Sequence, residues 1–112
     1  MPVMRYALLV YDAPSSWHDL STEQRHARHG EYHALADLPG VIAHYRLQPP
    51  QTVRVEDNHV VRTEGPQAET REWLRALYLV ESDDHDSVLE LAARIPAARA
   101  GGAVEVWPLT EQ

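Results

Sequence analysis

His26, His29, His33 and Asp37 recur at spacings of three, four and four. On a helix turning about 100° per residue, these four fall within an arc of roughly 80° and form one ridge. Such a ridge suits general acid/base chemistry. His29 or His33 takes a proton, and Asp37, one turn beyond His33, orients the imidazole or holds its charge. Partial desolvation at the border between core and solvent lowers an imidazole pKa and leaves a base ready at neutral pH. A second chemistry is metal binding, with His26, His29 and His33 converging on one ion and Asp37 as a further ligand or a support behind them. One helix rarely brings three ligands round a tetrahedral ion, so acid/base work is preferred. The plain alternative is a solvated helix face that happens to use histidine.

Other residues can orient a small organic substrate beside that ridge. His44, Tyr45 and Arg46 lie in the apolar run Val41 to Leu47. By strand alternation His44 shares a face with Ile42 and Arg46, opposite Ala43, Tyr45 and Leu47. If that face meets the ridge, His44 joins it; a paired structural histidine is the plainer use. Arg46 and Arg71 are candidate clamps for a carboxylate or phenolate, because a planar guanidinium grips such groups bidentately. Surface ion pairs to Glu64, Glu69 or Glu72 are the ordinary alternative. Asp12 ends an apolar segment where a polar group reaches a cleft, or merely opens a turn. Trp17, in the run Ser15-Ser16-Trp17-His18, either stacks on a flat ligand or anchors its loop.

Composition removes several chemistries. All ten cationic residues are arginine and there is no cysteine, so lysine Schiff bases, thiol nucleophiles, disulfides and thiolate metal sites are excluded. The net charge of −7, with cations scattered among seventeen acidic residues, argues against a nucleic-acid partner. The five glycines build no phosphate loop or dinucleotide fingerprint, and no serine stands in a nucleophile elbow. A cofactor-independent activity is therefore expected. The apolar run Tyr6 to Tyr11 is too short for a signal peptide or a membrane span, which predicts a cytoplasmic protein without a membrane partner.

The elements that must position these residues read clearly. The 112 residues suffice for a single domain. Val3 to Tyr11 reads as a buried strand. Ser21 with Gln24 forms a capping box, predicting a helix from about Thr22 to Leu38 that Pro39-Gly40 stops. Ala27, Ala34 and Leu38 are its expected sheet-facing side. Val41 to Leu47 is the second strand. Thr52 to Glu56 and His59 to Thr63 form a hairpin around Asp57-Asn58. Arg75 to Glu81 is a strand; Asp83 or Asp84 caps a helix through Ile95 with Val88, Ala92 and Ile95 inward; Ala103 to Leu109 is the last strand. Strand-helix-strand, an inserted hairpin, then strand-helix-strand predicts an α+β ferredoxin-like sandwich. Two helices cover one sheet face. The other, left apolar and bare, predicts a homodimer joined sheet to sheet.

Three stretches then suggest a family. Leu47-Gln48-Pro49-Pro50, the run Thr63-Glu64-Gly65-Pro66-Gln67-Ala68-Glu69-Thr70-Arg71-Glu72, and Ala93-Arg94-Ile95-Pro96-Ala97-Ala98-Arg99 together resemble the signature of the YCII-related, or DGPF-domain, family. The resemblance runs from Met4 to Pro108 and implies a dimeric α+β barrel. It also implies a His/Asp dyad on the first helix, whose histidine falls on His29 and whose aspartate falls at Leu38, next to Asp37. Some relatives are lyase- or isomerase-like enzymes acting on small ring compounds; others are fused to transcription factors, which keeps a non-catalytic binding or regulatory module open. The usual Asp-Gly-Pro-Phe becomes Glu64-Gly65-Pro66-Gln67 here, exchanging an apolar plug for an amide.

Overall fold

The computed structural model describes residues 2–13, 18–66 and 73–111. The strands are β1 (Met4–Asp12), β2 (Val41–Arg46), β3 (Gln51–Glu56), β4 (His59–Glu64), β5 (Trp73–Ser82) and β6 (Ala103–Leu109). The helices are α1 (Thr22–Ala36), α2 (His85–Arg94) and the single turn α3 (Pro96–Arg99). β2, β5, β1 and β6 lie side by side in an antiparallel sheet, while β3 and β4 pair only with each other. This is the α+β ferredoxin-like arrangement expected from the element order.

Alternation along β1 sets the layers. Tyr6, Leu8, Val10 and Asp12 are buried under the helices, with Tyr78 and Val80 of β5 beside them. From the helix layer, Leu35 of α1 and Val88 and Ala92 of α2, with Ile95, fill the same core. The capping box forms as expected: the Ser21 N–H donates to Gln24 Oε1 at 2.8 Å, and Ser21 Oγ accepts from the Gln24 N–H at 3.1 Å. Asp84 caps α2, accepting from the Asp86 N–H and from Ser87 Oγ. Asp57 and Asn58 both have positive φ, the left-handed pair that a tight hairpin turn requires.

Two expectations about which way side chains face need correction. The sheet-facing side of α1 is Arg28, Tyr32 and Leu35, whereas Ala27 and Ala34 are exposed; only Leu38, just past the helix, packs on the core as expected. The reason is area. Burying Tyr32 and Leu35 removes far more apolar surface from water than burying two alanine methyls. The second correction concerns β2, where Val41 pairs with Val80 but Ala43 with Leu79. Ile42 is the extra residue of a bulge, so the expected alternation is interrupted there; beyond it His44 and Arg46 share one face, opposite Ala43 and Tyr45, as expected. Val41 and His44 both end on the helix side.

A matching bulge interrupts β5. Val10 pairs with Ala76 and Tyr11 with Leu74, leaving Arg75 as the extra residue. Bulges re-aim a side chain at the cost of one ladder step. Here Arg75 turns to the helix side and meets Asp12, its Nε 3.5 Å from Oδ2. Among the described residues no helix is long and apolar enough to cross a membrane.

Candidate functional site

A cleft of about 360 Å³ opens between the flank of α1 and the β2–β5 edge of the sheet. Each wall follows from the elements just described. From α1 come His29, Tyr32 and His33; from β2, His44, Tyr45 and Arg46. From β5 come Arg75, Ala76 and Tyr78, and the end of β1 supplies Val10 and Asp12 at the floor. The volume lies at the lower end of the range for small-molecule sites.

The helix turn decides which histidines reach the cleft. Taking the Arg28–Tyr32–Leu35 side as the inward direction, His29 lies about 90° round the helix and His33 about 130°. His26 and Asp37 lie roughly 150° and 170° away, nearly opposite the core. Accordingly His29 and His33 line the cleft, and His26 and Asp37 do not. Asp37 is the exposed C-cap of α1, its backbone N–H donating to the carbonyls of Ala34 and Leu35.

Electrostatics single out His29. Its pKa is lowered, first by loss of solvent against the cleft and then by the positive charges of Arg46 and Arg75. His33 and His26 add smaller repulsions. At neutral pH this imidazole is uncharged and able to accept a proton. Two phenols share the cleft with it, Tyr32 from the same helix and Tyr78 from β5. Burial pushes Tyr78 up to about 12, and its hydroxyl donates to the Tyr32 carbonyl at 3.3 Å. Tyr32 is raised further, by burial and then by the charge of Asp12, with the Ala97 backbone pulling the other way. Both therefore stay protonated at neutral pH. The His44 ring lies nearly parallel to that of Tyr78, with centroids 6.0 Å apart.

Asp12 is the buried carboxylate of the site, 2% exposed. Removing a charge from water is costly unless another charge meets it, and Arg75 does so. Tyr45 is 57% exposed, and its pairing with Leu77 places its side chain on the other sheet face, so it borders the cleft through the strand itself. Trp17 and Arg71 lie outside the described residues. Among the described residues, no group of three or more His, Asp or Glu is placed to hold a metal ion.

Arg75, Tyr32 and Tyr78 are the lining residues that sequence reasoning missed. A lone arginine inside the apolar run Trp73-Leu74-Arg75-Ala76-Leu77 was a usable signal, since a cation in a half-buried strand needs a reason. The phenols carried no signal apart from core packing.

A ferredoxin-like domain with a lateral cleft beside its first helix is a class shared by many proteins. Within that class, the chain matches the YCII-related domain over residues 4–111 and belongs to that family. No curated protein matches it.

Proposed function

We propose that this protein is a homodimeric, cofactor-independent enzyme that moves protons on a small organic molecule, as a lyase, isomerase or cyclase-like catalyst. One observation carries the reading: His29 lines one cleft with Arg46 and Arg75, where loss of solvent and then those two charges lower its pKa. A neutral imidazole removes a proton from carbon. Fixed guanidinium groups then stabilise the negative charge left on the substrate. His33 stands one turn along the same wall as an alternative base. Asp12 holds Arg75, the cation opposite; Asp37, one turn beyond His33 in sequence, is the second carboxylate the reading assigns to support the base.

The test is solvent deuterium exchange, followed by NMR, on a panel of 2-oxo acids, lactones and unsaturated acids. Exchange above the buffer rate is expected for at least one member, abolished in H29A/H33A with the fold intact. Equal exchange by that double variant would sink the reading. Comparing D12N with D37N shows which carboxylate supports the base, as the larger loss of kcat.

Exposure of His26, His29 and His33 favours a second reading, a ligand-binding or regulatory module without turnover. A cleft against two of these histidines favours the enzyme. A panel member that binds wild-type protein without exchanging would decide for the module.

A further inference from the structure

The cleft reverses the charge balance of the chain. The protein carries a net charge of −7, yet the lining sets two arginines, Arg46 and Arg75, against a single carboxylate, Asp12, with His29, His33 and His44 beside them. That carboxylate already meets Arg75. Arg46 differs: it is exposed on edge strand β2, and no ion pair among the described residues engages it. A cationic recess in an acidic protein concentrates anions where the rest of the surface repels them.

We infer that the cleft binds a small organic carboxylate, its two oxygens gripped by the Arg46 guanidinium and its carbon skeleton lying toward His29. The inference deepens the acid–base reading by naming the substrate class, and rests on that reading only in treating the bound anion as a substrate. Geometry favours a carboxylate over a phosphate. Phosphate sites gather backbone N–H groups at a helix N-terminus or a glycine-rich nest. This cleft meets α1 along its flank, at His29 and His33, well past its start at Thr22. Among the described residues it offers instead one planar fork in no ion pair, which serves both oxygens of a carboxylate but leaves the remaining oxygens of a phosphate without a backbone donor.

Proton uptake follows from the same arrangement. The groups facing His29 are His26 and His33 on its own helix, Arg46 and His44 from β2, Arg75 and Tyr78 from β5, and Asp12 from β1. A bound carboxylate offsets the repulsion from Arg46 and so raises the His29 pKa. A bound carboxylate therefore makes His29 a stronger base toward a proton on the substrate's own carbon skeleton, and binding tightens as pH falls through the histidine range.

The experiment is an NMR titration of the whole protein with benzoate, cinnamate and pyruvate, each beside its neutral amide, with inorganic phosphate as a separate arm. At least one acid is expected to shift the His29 ring and move its titration upward, while the matching amide does not bind. R46Q should weaken that acid roughly tenfold or more, and R46K should restore part of the loss. Because Arg46 is exposed at a sheet edge, both variants should melt with the wild type. Acid and amide binding alike, R46Q binding as wild type, phosphate alone binding, or no acid binding would each overturn the inference. Deuterium exchange that still depends on His29 would then leave the acid–base reading standing. Acid binding without exchange would do the reverse.

Discussion

At the scale of single residues, the site is governed by two imbalances of charge. His29 is held below the ordinary histidine pKa by desolvation and by the cations opposite. Its direct check is a histidine NMR titration, in which His29 should titrate below the ordinary histidine value and move upward in R46Q. The stability consequence has a definite sign. A depressed folded-state pKa means the unfolded chain binds more protons, so the contribution of His29 is present above the ordinary histidine value and lost as pH falls through the folded one. H29A should flatten that part of a pH–stability profile. Asp12 and Arg75 form the other imbalance, with side chains 2% and 28% exposed. Neutralising one partner of such a pair strands the other. D12N should cost about 2–3 kcal/mol in urea unfolding, less than a fully buried pair because Arg75 still reaches solvent.

At the scale of elements, capping residues and turns were legible and side-chain directions less so. Ser21 with Gln24 marked the start of α1, Asp57-Asn58 the hairpin turn, and Val88, Ala92 and Ile95 the buried face of α2, because each is local chemistry written in a few adjacent residues. The face of α1 was misread because the helix is only weakly amphipathic, and its deciding residues, Tyr32 and Leu35, are buried by the sheet beneath rather than by a periodic pattern. The bulges at Ile42 and Arg75 are likewise invisible in one strand, since a bulge is a mismatch between two. The β5 bulge brings Arg75 into the cleft, so the candidate site was half legible: His29, His33, His44 and Arg46 could be read, while Arg75 and the two phenols were missed. Two measurements follow. S21A should lower stability by about 1 kcal/mol through loss of the cap. L35A should cost about 2–5 kcal/mol by leaving a cavity under α1, whereas A27S and A34S should stay within about 0.5 kcal/mol.

At the scale of the whole molecule, the sheet has a second face that the helices do not cover. Register places Ala43, Tyr45, Leu77, Leu79, Leu9 and Trp107 there, and Tyr45 and Trp107 are 57% and 53% exposed. The detached β3–β4 hairpin adds Val53, Val55 and Val60 on one of its faces, each more than half exposed. A two-stranded hairpin is marginal in water unless a further surface supports it, and exposed aromatic and aliphatic side chains gathered on one face are the usual mark of an interface. Both features are accounted for together if two copies meet sheet to sheet, with the hairpins reaching beyond the contact. Light scattering should then give twice the 12.7 kDa of one chain. W107E makes the sharper test. Trp107 donates through Nε1 to Glu105 Oε1 at 3.1 Å, so the substitution removes an apolar ring and sets a second carboxylate beside the first. Desolvating two adjacent like charges opposes association far more than it disturbs a monomer whose core lies on the other face of the sheet. The variant should run as a folded monomer, with helical circular dichroism preserved. A wild-type chain that already scatters as one copy would refute the dimer and leave the cleft, which one chain builds by itself, untouched.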